Sequence, residues 1–258
     1  MSTARLILHQ YRYDQRAFWR DPAAVFFTVA LPLIFLFIFV SIFGNQPTVV
    51  GGNEISGATY YMPGIVTLAV ESAAFVGLAI SLVAAREQGI LKRVRSTPLP
   101  PWVFMAGRIC TSIAVSALLV VAVAGLGRLV YGVELPLSTL PGLLVTLVVG
   151  VASLSALGFA VTALIPTENA GPAVTNAIAL PLLFISGVFI PSEELPDAMR
   201  TIADVFPLKP LFDGFLTAFD PATTGPGIAL GDMGVVAAWG LFGVVVATQT
   251  FRWTPRAD

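Results

Sequence analysis

Six long apolar stretches dominate this chain: residues 22–43, 61–85, 103–127, 140–165, 171–190 and 233–251. Each has about the 20 residues that an α-helix needs to cross hydrocarbon. Among 14 basic and 15 acidic side chains, only Glu71 and Arg108 fall inside them. The stretches are too long and too uniformly apolar for strands. None shows the alternation in segments of about 10 residues that a transmembrane barrel requires. The expected fold is an all-α polytopic membrane protein with six transmembrane helices, in a single domain over residues 1–258. Charged residues are 11 % of the chain and hydrophobic ones 56 %, against about 25 % charged in a soluble domain. Lipid therefore has to be the solvent for much of it. The first stretch follows a long basic arm and lacks a small-residue cleavage site, so it reads as a retained span.

Lysine and arginine set the orientation. An even number of spans places both termini on one side. That side then carries Arg5, Arg12, Arg16 and Arg20, the group Arg86, Lys92, Arg93, Arg95 and Arg108, and finally Arg252 and Arg256. The other side holds only Arg128, Arg200 and Lys209, and most of the acids. The termini and the loop at 86–102 are expected in the cytoplasm.

Three segments outside the stretches carry information. Residues 1–21 read as a basic amphipathic helix at the membrane surface, because Arg5, His9, Arg12, Arg16 and Arg20 recur every three or four residues and so stack on one face. Anionic headgroups favour such a face; bracing a cytoplasmic partner is a second use for it. The loop from Arg86 to Thr97 reads as one short helix, ended by Pro98. Glu87, Ile90, Leu91 and Val94 share a face of it, with basic residues around the rest. A positive-inside signal accounts for the charges alone; a docking surface also accounts for the glutamate, the glycine and the apolar residues. Residues 191–230 are long for a connection. Ser192 is a candidate cap with Glu193 and Glu194 behind it, and Leu195, Met199, Ile202 and Phe206 follow at helical spacing before Pro207 and Pro210. Two short helices are expected here, either interfacial or as a hairpin dipping back into the membrane.

Most catalytic chemistry lacks its residues. One histidine, His9, and one cysteine, Cys110, leave no zinc site and no internal disulfide. No G-x-S-x-G elbow and no P-loop occur, so an enzyme is not expected. Glu71 is the exception: a carboxylate within a span is a functional-site candidate by default, with helix-to-helix glue as the structural alternative. Arg108 reads as a snorkelling side chain without a role. Phe35, Phe39 and Phe43 form a stripe on the first stretch, a candidate substrate path or a packing face.

At this level the chain resembles the permease subunit of type-2 ABC exporters, of the daunorubicin-exporter-like drug-resistance branch. Three runs carry the resemblance: Arg20-Asp21-Pro22 with Phe27 to Leu33; Arg86-Glu87-Gln88-Gly89-Ile90-Leu91-Lys92-Arg93-Val94-Arg95-Ser96-Thr97-Pro98-Leu99; and Phe184 to Pro191, followed by Glu194-Leu195-Pro196 and Pro207-Leu208. The middle run is the most specific. The resemblance implies a bacterial inner-membrane exporter of a hydrophobic small molecule, drug or lipid. It also implies a second permease subunit and a separate ATPase dimer that holds ATP and Mg, with no cofactor in this chain. The helix at 86–97 would then be the coupling helix, with Glu87, Gly89, Ile90, Leu91, Arg93 and Val94 at or near the ATPase. Residues 191–230 would form an extracellular re-entrant hairpin, and substrate would pass between permease subunits. Glu71 is not part of that pattern. Export of a lipid-linked glycan, or an ion-coupled carrier using Glu71, are the alternatives. Nucleic acid is not an expected partner.

Overall fold

A computed structural model describes residues 3–43, 47–50, 53–97, 99–191, 195–251 and 253–254. Helix α1 (Thr3–Trp19) lies before the bundle. Asp21 then starts the first long rod: its Oδ1 accepts from the backbone N–H groups of Ala23 and Ala24 at 3.0 and 3.1 Å, and Pro22 takes the first helical position. Those donors have no partner inside the helix, so the cap and the proline both fit the start. The rod comprises α2 (Pro22–Val25), a π-helical turn at Phe26–Ala30 and α3 (Leu31–Phe43).

An antiparallel hairpin follows, β1 (Pro47–Val50) with β2 (Asn53–Ser56), pairing Pro47 with Ser56 and Val50 with Asn53. The all-α expectation did not include it; Thr48, Val49, Val50 and Ile55 are β-branched residues that suit extended backbone. Ser56 then caps the next rod, accepting from Thr59 N–H at 3.2 Å. It runs through α4 (Gly57–Glu71), a second π-helical turn at Ser72–Gly77 and α5 (Leu78–Glu87). Within α4 every residue except Tyr61 is buried, which makes it the central element.

The rest of the chain comprises α6 (Ile90–Arg95), α7 (Pro101–Tyr131), α8 (Leu140–Val161), α9 (Gly171–Ile185), α10 (Asp197–Val205), α11 (Leu208–Phe219) and α12 (Leu230–Thr250). Five helical rods among the described residues are long and apolar enough to cross a bilayer: Pro22–Ile42, Gly57–Glu87, Pro101–Tyr131, Leu140–Val161 and Leu230–Thr250. The stretch at 171–190 is helical only over Gly171–Ile185, 15 residues. At 1.5 Å per residue that is about 22 Å, short of the roughly 30 Å of hydrocarbon. Gly187 ends it with φ +89, which a side chain would strain. The released backbone is used at once: Tyr60 Oη donates to the Gly187 carbonyl at 2.7 Å.

Helices in lipid gain little from apolar contact alone and rely on close backbone approach at small residues. The α8–α12 contact works this way. A Cβ on Gly243 would sit 2.8 Å from the Ala156 carbonyl carbon and the Leu157 nitrogen, both backbone atoms. Helix α11 is likewise inside the bundle: Leu208, Leu211, Phe212, Phe215 and Phe219 are at most 2 % exposed. Its Leu211 packs against Gly150 of α8, ten residues below the start of that helix. Helix α10 instead turns its apolar residues Met199, Ile202 and Val205 outward. Its first helical residue is Asp197, and the expected cap at Ser192, with Glu193 and Glu194, lies outside the described residues.

Gly243→Val is expected to force α8 and α12 apart and cost about 1–3 kcal/mol. Gly234→Val, on the same helix with nothing within 4 Å of its Cβ position, serves as the control. Thermal unfolding in detergent reads the difference, and equal midpoints for the two variants would contradict it.

Candidate functional site

The basic end of the bundle is organised around Arg86. Its guanidinium is 2 % exposed and donates to the carbonyls of Thr162, Ile165 and Pro166 at 3.1, 2.8 and 3.2 Å. These carbonyls follow the C-terminus of α8, where acceptors lack helical partners and a cation is favoured. The adjacent Glu87 Oε2 accepts from Glu168 N–H at 2.9 Å, at the 3₁₀ turn Glu168–Ala170 that leads into α9. The two neighbours thus clip the end of α5 to the α8–α9 connection.

After the clip the chain breaks. Residues 86–97 are not one helix: α5 ends at Glu87, Gly89 has φ +70, and α6 restarts at Ile90. The left-handed turn at Gly89 is open to glycine at no steric cost. It separates Glu87 from the apolar face expected with it. Leu91 turns inward, 1 % exposed, into a cluster with Leu82, Phe104 and Phe159. Ile90 and Val94 are half-buried at the edge of that cluster. What α6 leaves exposed is cationic: Lys92, Arg93 and Arg95.

Helix α1 is seated by charge rather than by apolar contact alone. Arg5, Arg12, Arg16 and Arg20 are all exposed on its outer face. On the inner face Asp14, 2 % exposed, accepts from Gln10 Nε2 at 3.0 Å and lies 3.5 Å from Arg108 Nε. Arg108 also stands over the Phe104 ring at 5.4 Å. It therefore does not snorkel without a role; it holds α1 against α7. Burial pushes the Asp14 carboxyl above its ordinary value, and Arg108 and Gln10 pull it back. The signal was present in the sequence: one acid on an otherwise basic helix, and one arginine inside an apolar span at the same end.

Glu71 closes α4 where the π-helical turn begins, and is 2 % exposed. It lines a cavity of about 360 Å³ with Phe75, Leu154, Ile178, Phe206 and Trp239. Phe35 and Phe39 are elsewhere: Phe39 stacks on Tyr61 and Phe189 at 5.5 and 5.6 Å, with Phe35 behind it at 6.2 Å. Tyr61 is ten residues above Glu71, about 15 Å along the helix. The candidate substrate residues therefore fall into two separate groups. The Phe43 side chain lies outside the described residues. Reasoning from sequence did not find Trp239 or Phe206 beside Glu71, since no spacing rule relates them.

At the corner between α10 and α11 Lys209 Nζ pairs with Asp204 and Asp213 at 2.7 and 2.8 Å, tying the two helices together. Burial pushes the Asp213 carboxyl up to about 6 against the pull of Lys209. The folded state thus binds that proton more tightly than the unfolded chain does. Its stabilising effect is complete below about pH 4, the ordinary range of an aspartate, and fades as pH rises to about 6.

Arg108→Met is expected to cost about 3 kcal/mol at neutral pH, because Asp14 is left buried without its cation. Asp14 already titrates above its ordinary value, and losing Arg108 raises it further. The penalty therefore grows as pH rises through that higher pKa and is small in acid. Adding Asp14→Asn is expected to recover most of the loss. Unfolding midpoints from pH 4 to 8 check this, and a pH-independent penalty would contradict it.

The family model for ABC-2 type transporters matches residues 7–219. Among similar curated proteins is the "Daunorubicin resistance ABC transporter permease protein DrrB1" of Streptomyces coeruleorubidus, 27 % identical over 195 residues, which are 75 % of this chain and 67 % of that protein. Another is the "Putative transport permease YvfS" of Bacillus subtilis (strain 168), 22 % identical over 191 residues, 73 % of this chain and 75 % of that one. Multiple apolar rods and a family match over most of the length agree: this chain is a multi-pass membrane permease of the ABC-2 type transporter family.

Proposed function

We propose that this permease is the membrane-spanning half of an ATP-driven exporter that moves a hydrophobic small molecule, drug or lipid out of the cytoplasm or the inner leaflet. A second permease subunit completes the path, and a separate ATPase dimer supplies ATP and Mg. The complex sits in a bacterial inner membrane with both termini of this chain in the cytoplasm. Helix α9 and residues 186–190 make the fifth of six crossings, and α10 and α11 form a hairpin entering from outside. Phe35, Phe39 and Phe43 border the substrate path near its outer end, and Glu71 borders it at mid-depth.

The observation that carries the reading is the surface of α6. A six-residue helix turns away from α5 at Gly89, packs on the bundle through Leu91 beside the Arg86–Glu87 clip, and exposes Lys92, Arg93 and Arg95. A rigid mount with an exposed cationic face suits docking into an acidic cleft of an ATPase. Docking that differs between two nucleotide states would bias inward against outward opening. The roles within the run divide accordingly: Arg93 contacts the ATPase, Gly89 sets the angle, Ile90 and Val94 border the contact, and Glu87 and Leu91 hold the mount.

Charge reversal by Arg93→Glu is expected to reduce ATPase co-purification and ATP-dependent transport by about tenfold or more, with the unfolding midpoint of the permease unchanged. Normal assembly and transport by that variant would refute the docking surface. Transport that survives loss of the ATPase but follows an ion gradient and fails in Glu71→Gln would instead favour an ion-coupled carrier.

A further inference from the structure

The geometry points to a binding site for a hydrophobic amine inside a single permease subunit, with Glu71 as the group that receives the ammonium. The site is the cavity walled by α4, α8, α9 and α12 and closed on one side by the α10–α11 corner. Its volume, about 360 Å³, falls within the roughly 300–1,000 Å³ of small-molecule pockets.

The chemistry of the walls selects the occupant. Apart from Glu71 the described lining is apolar or aromatic, with one hydroxyl, Thr250, and Glu71 is its only ionisable residue. The carboxyl of Glu71 has the adjacent Ser72 side chain as a hydrogen-bond neighbour, while its Oε1 has no hydrogen-bond partner among the described residues. A carboxyl oxygen without a partner, in a helix at mid-bilayer depth, is costly to keep. A ligand that brings a donor and a positive charge removes that cost; a purely apolar one does not. The aromatic rings add to the preference, since a cation over an indole or phenyl face is attracted by the ring quadrupole. The Trp239 ring is held ready for this. Its Nε1 donates to the Val205 carbonyl at 2.7 Å, and Phe206 stacks on it at 5.5 Å.

Two further observations fit a ligand site rather than a packing defect. Glu71 stands at the start of the π-helical turn Ser72–Gly77, and such bulges concentrate at functional sites. Leu164, Ile178 and Phe242 line the cavity and are also exposed on the apolar exterior of the bundle. The site therefore opens sideways, toward molecules already dissolved in the bilayer. A hydrophobic amine partitions there and arrives with its charge near the interface.

This rests on the proposed place of Glu71 in the substrate path, and it is tested by binding without ATP, so its failure leaves the ATP-driven reading standing. The full chain in lipid nanodiscs is titrated with dansylcadaverine and with its N-acetyl derivative, which is neutral, following dansyl emission. The wild type is expected to bind the amine about tenfold or more tightly than the acetylated form. Glu71→Gln is expected to erase that preference while leaving the weak binding of the acetylated form unchanged. Ala163→Trp, which fills the wall and keeps Glu71, is expected to weaken both probes, and it decides the matter if Glu71→Gln fails to fold. Equal affinity for the two probes in the wild type would overturn the proposal and mark the cavity as a groove for lipid acyl chains. Unchanged amine binding in both variants would overturn it as well.

Discussion

Lipid offers no hydrogen bonds, so every polar group within the bundle has to find its partner in the protein. The architecture follows from that constraint. It makes the long apolar stretches helical, and it turns threonine hydroxyls back onto their own helix, as Thr67 does to the Pro63 carbonyl at 2.8 Å and Thr175 to the Gly171 carbonyl at 2.9 Å. It also makes each buried charge a fixed point. Arg86 is spent on three carbonyls beyond α8. Arg108 is committed to Asp14 and the ring of Phe104. Glu71 Oε1 has no hydrogen-bond partner among the described residues.

These fixed points explain how a signal could cross the molecule. The rod from Gly57 to Glu87 passes through the centre of the bundle, ending at the Arg86–Glu87 clip. On the proposed reading, a push on α6 is taken up by Leu91 and its cluster and passed to that clip. The stretch between the clip and Glu71 is α-helical except for the π-helical turn, where the backbone ladder is weakest and where Gly158 of α8 comes close: a Cβ there would be 3.0 Å from the Ala74 carbonyl oxygen. A change in helix register at that turn would move Glu71 and Phe75 together, both of which wall the same cavity. The α10–α11 corner, held together by Lys209, closes one side of the cavity.

Local chemistry in the chain announced much of this. The apolar stretches, the outward arginines of α1 and the cationic run after Arg86 were all legible, because each depends on neighbours within a few residues. Apolar spacing alone makes 86–97 one helix, but Gly89 at φ +70 divides it. The apolar run at 171–190 continues past Ile185, where the helix ends, because nothing in its pattern marks the turn at Gly187. In both places a single glycine at positive φ overrides a periodic pattern.

The sequence by itself determined that the chain is a helical membrane protein, which of its ends is basic, and that Glu71 is an exception within its spans. Composition and period decide those matters, and they are local sums. Only the tertiary structure decided that Arg108 pairs with Asp14, that Leu91 faces inward, and that Trp239 and Phe206 stand with Glu71 while Phe35 and Phe39 do not. Those juxtapositions join residues tens to well over a hundred positions apart. They depend on where glycines let two backbones approach, which no pattern along one helix records.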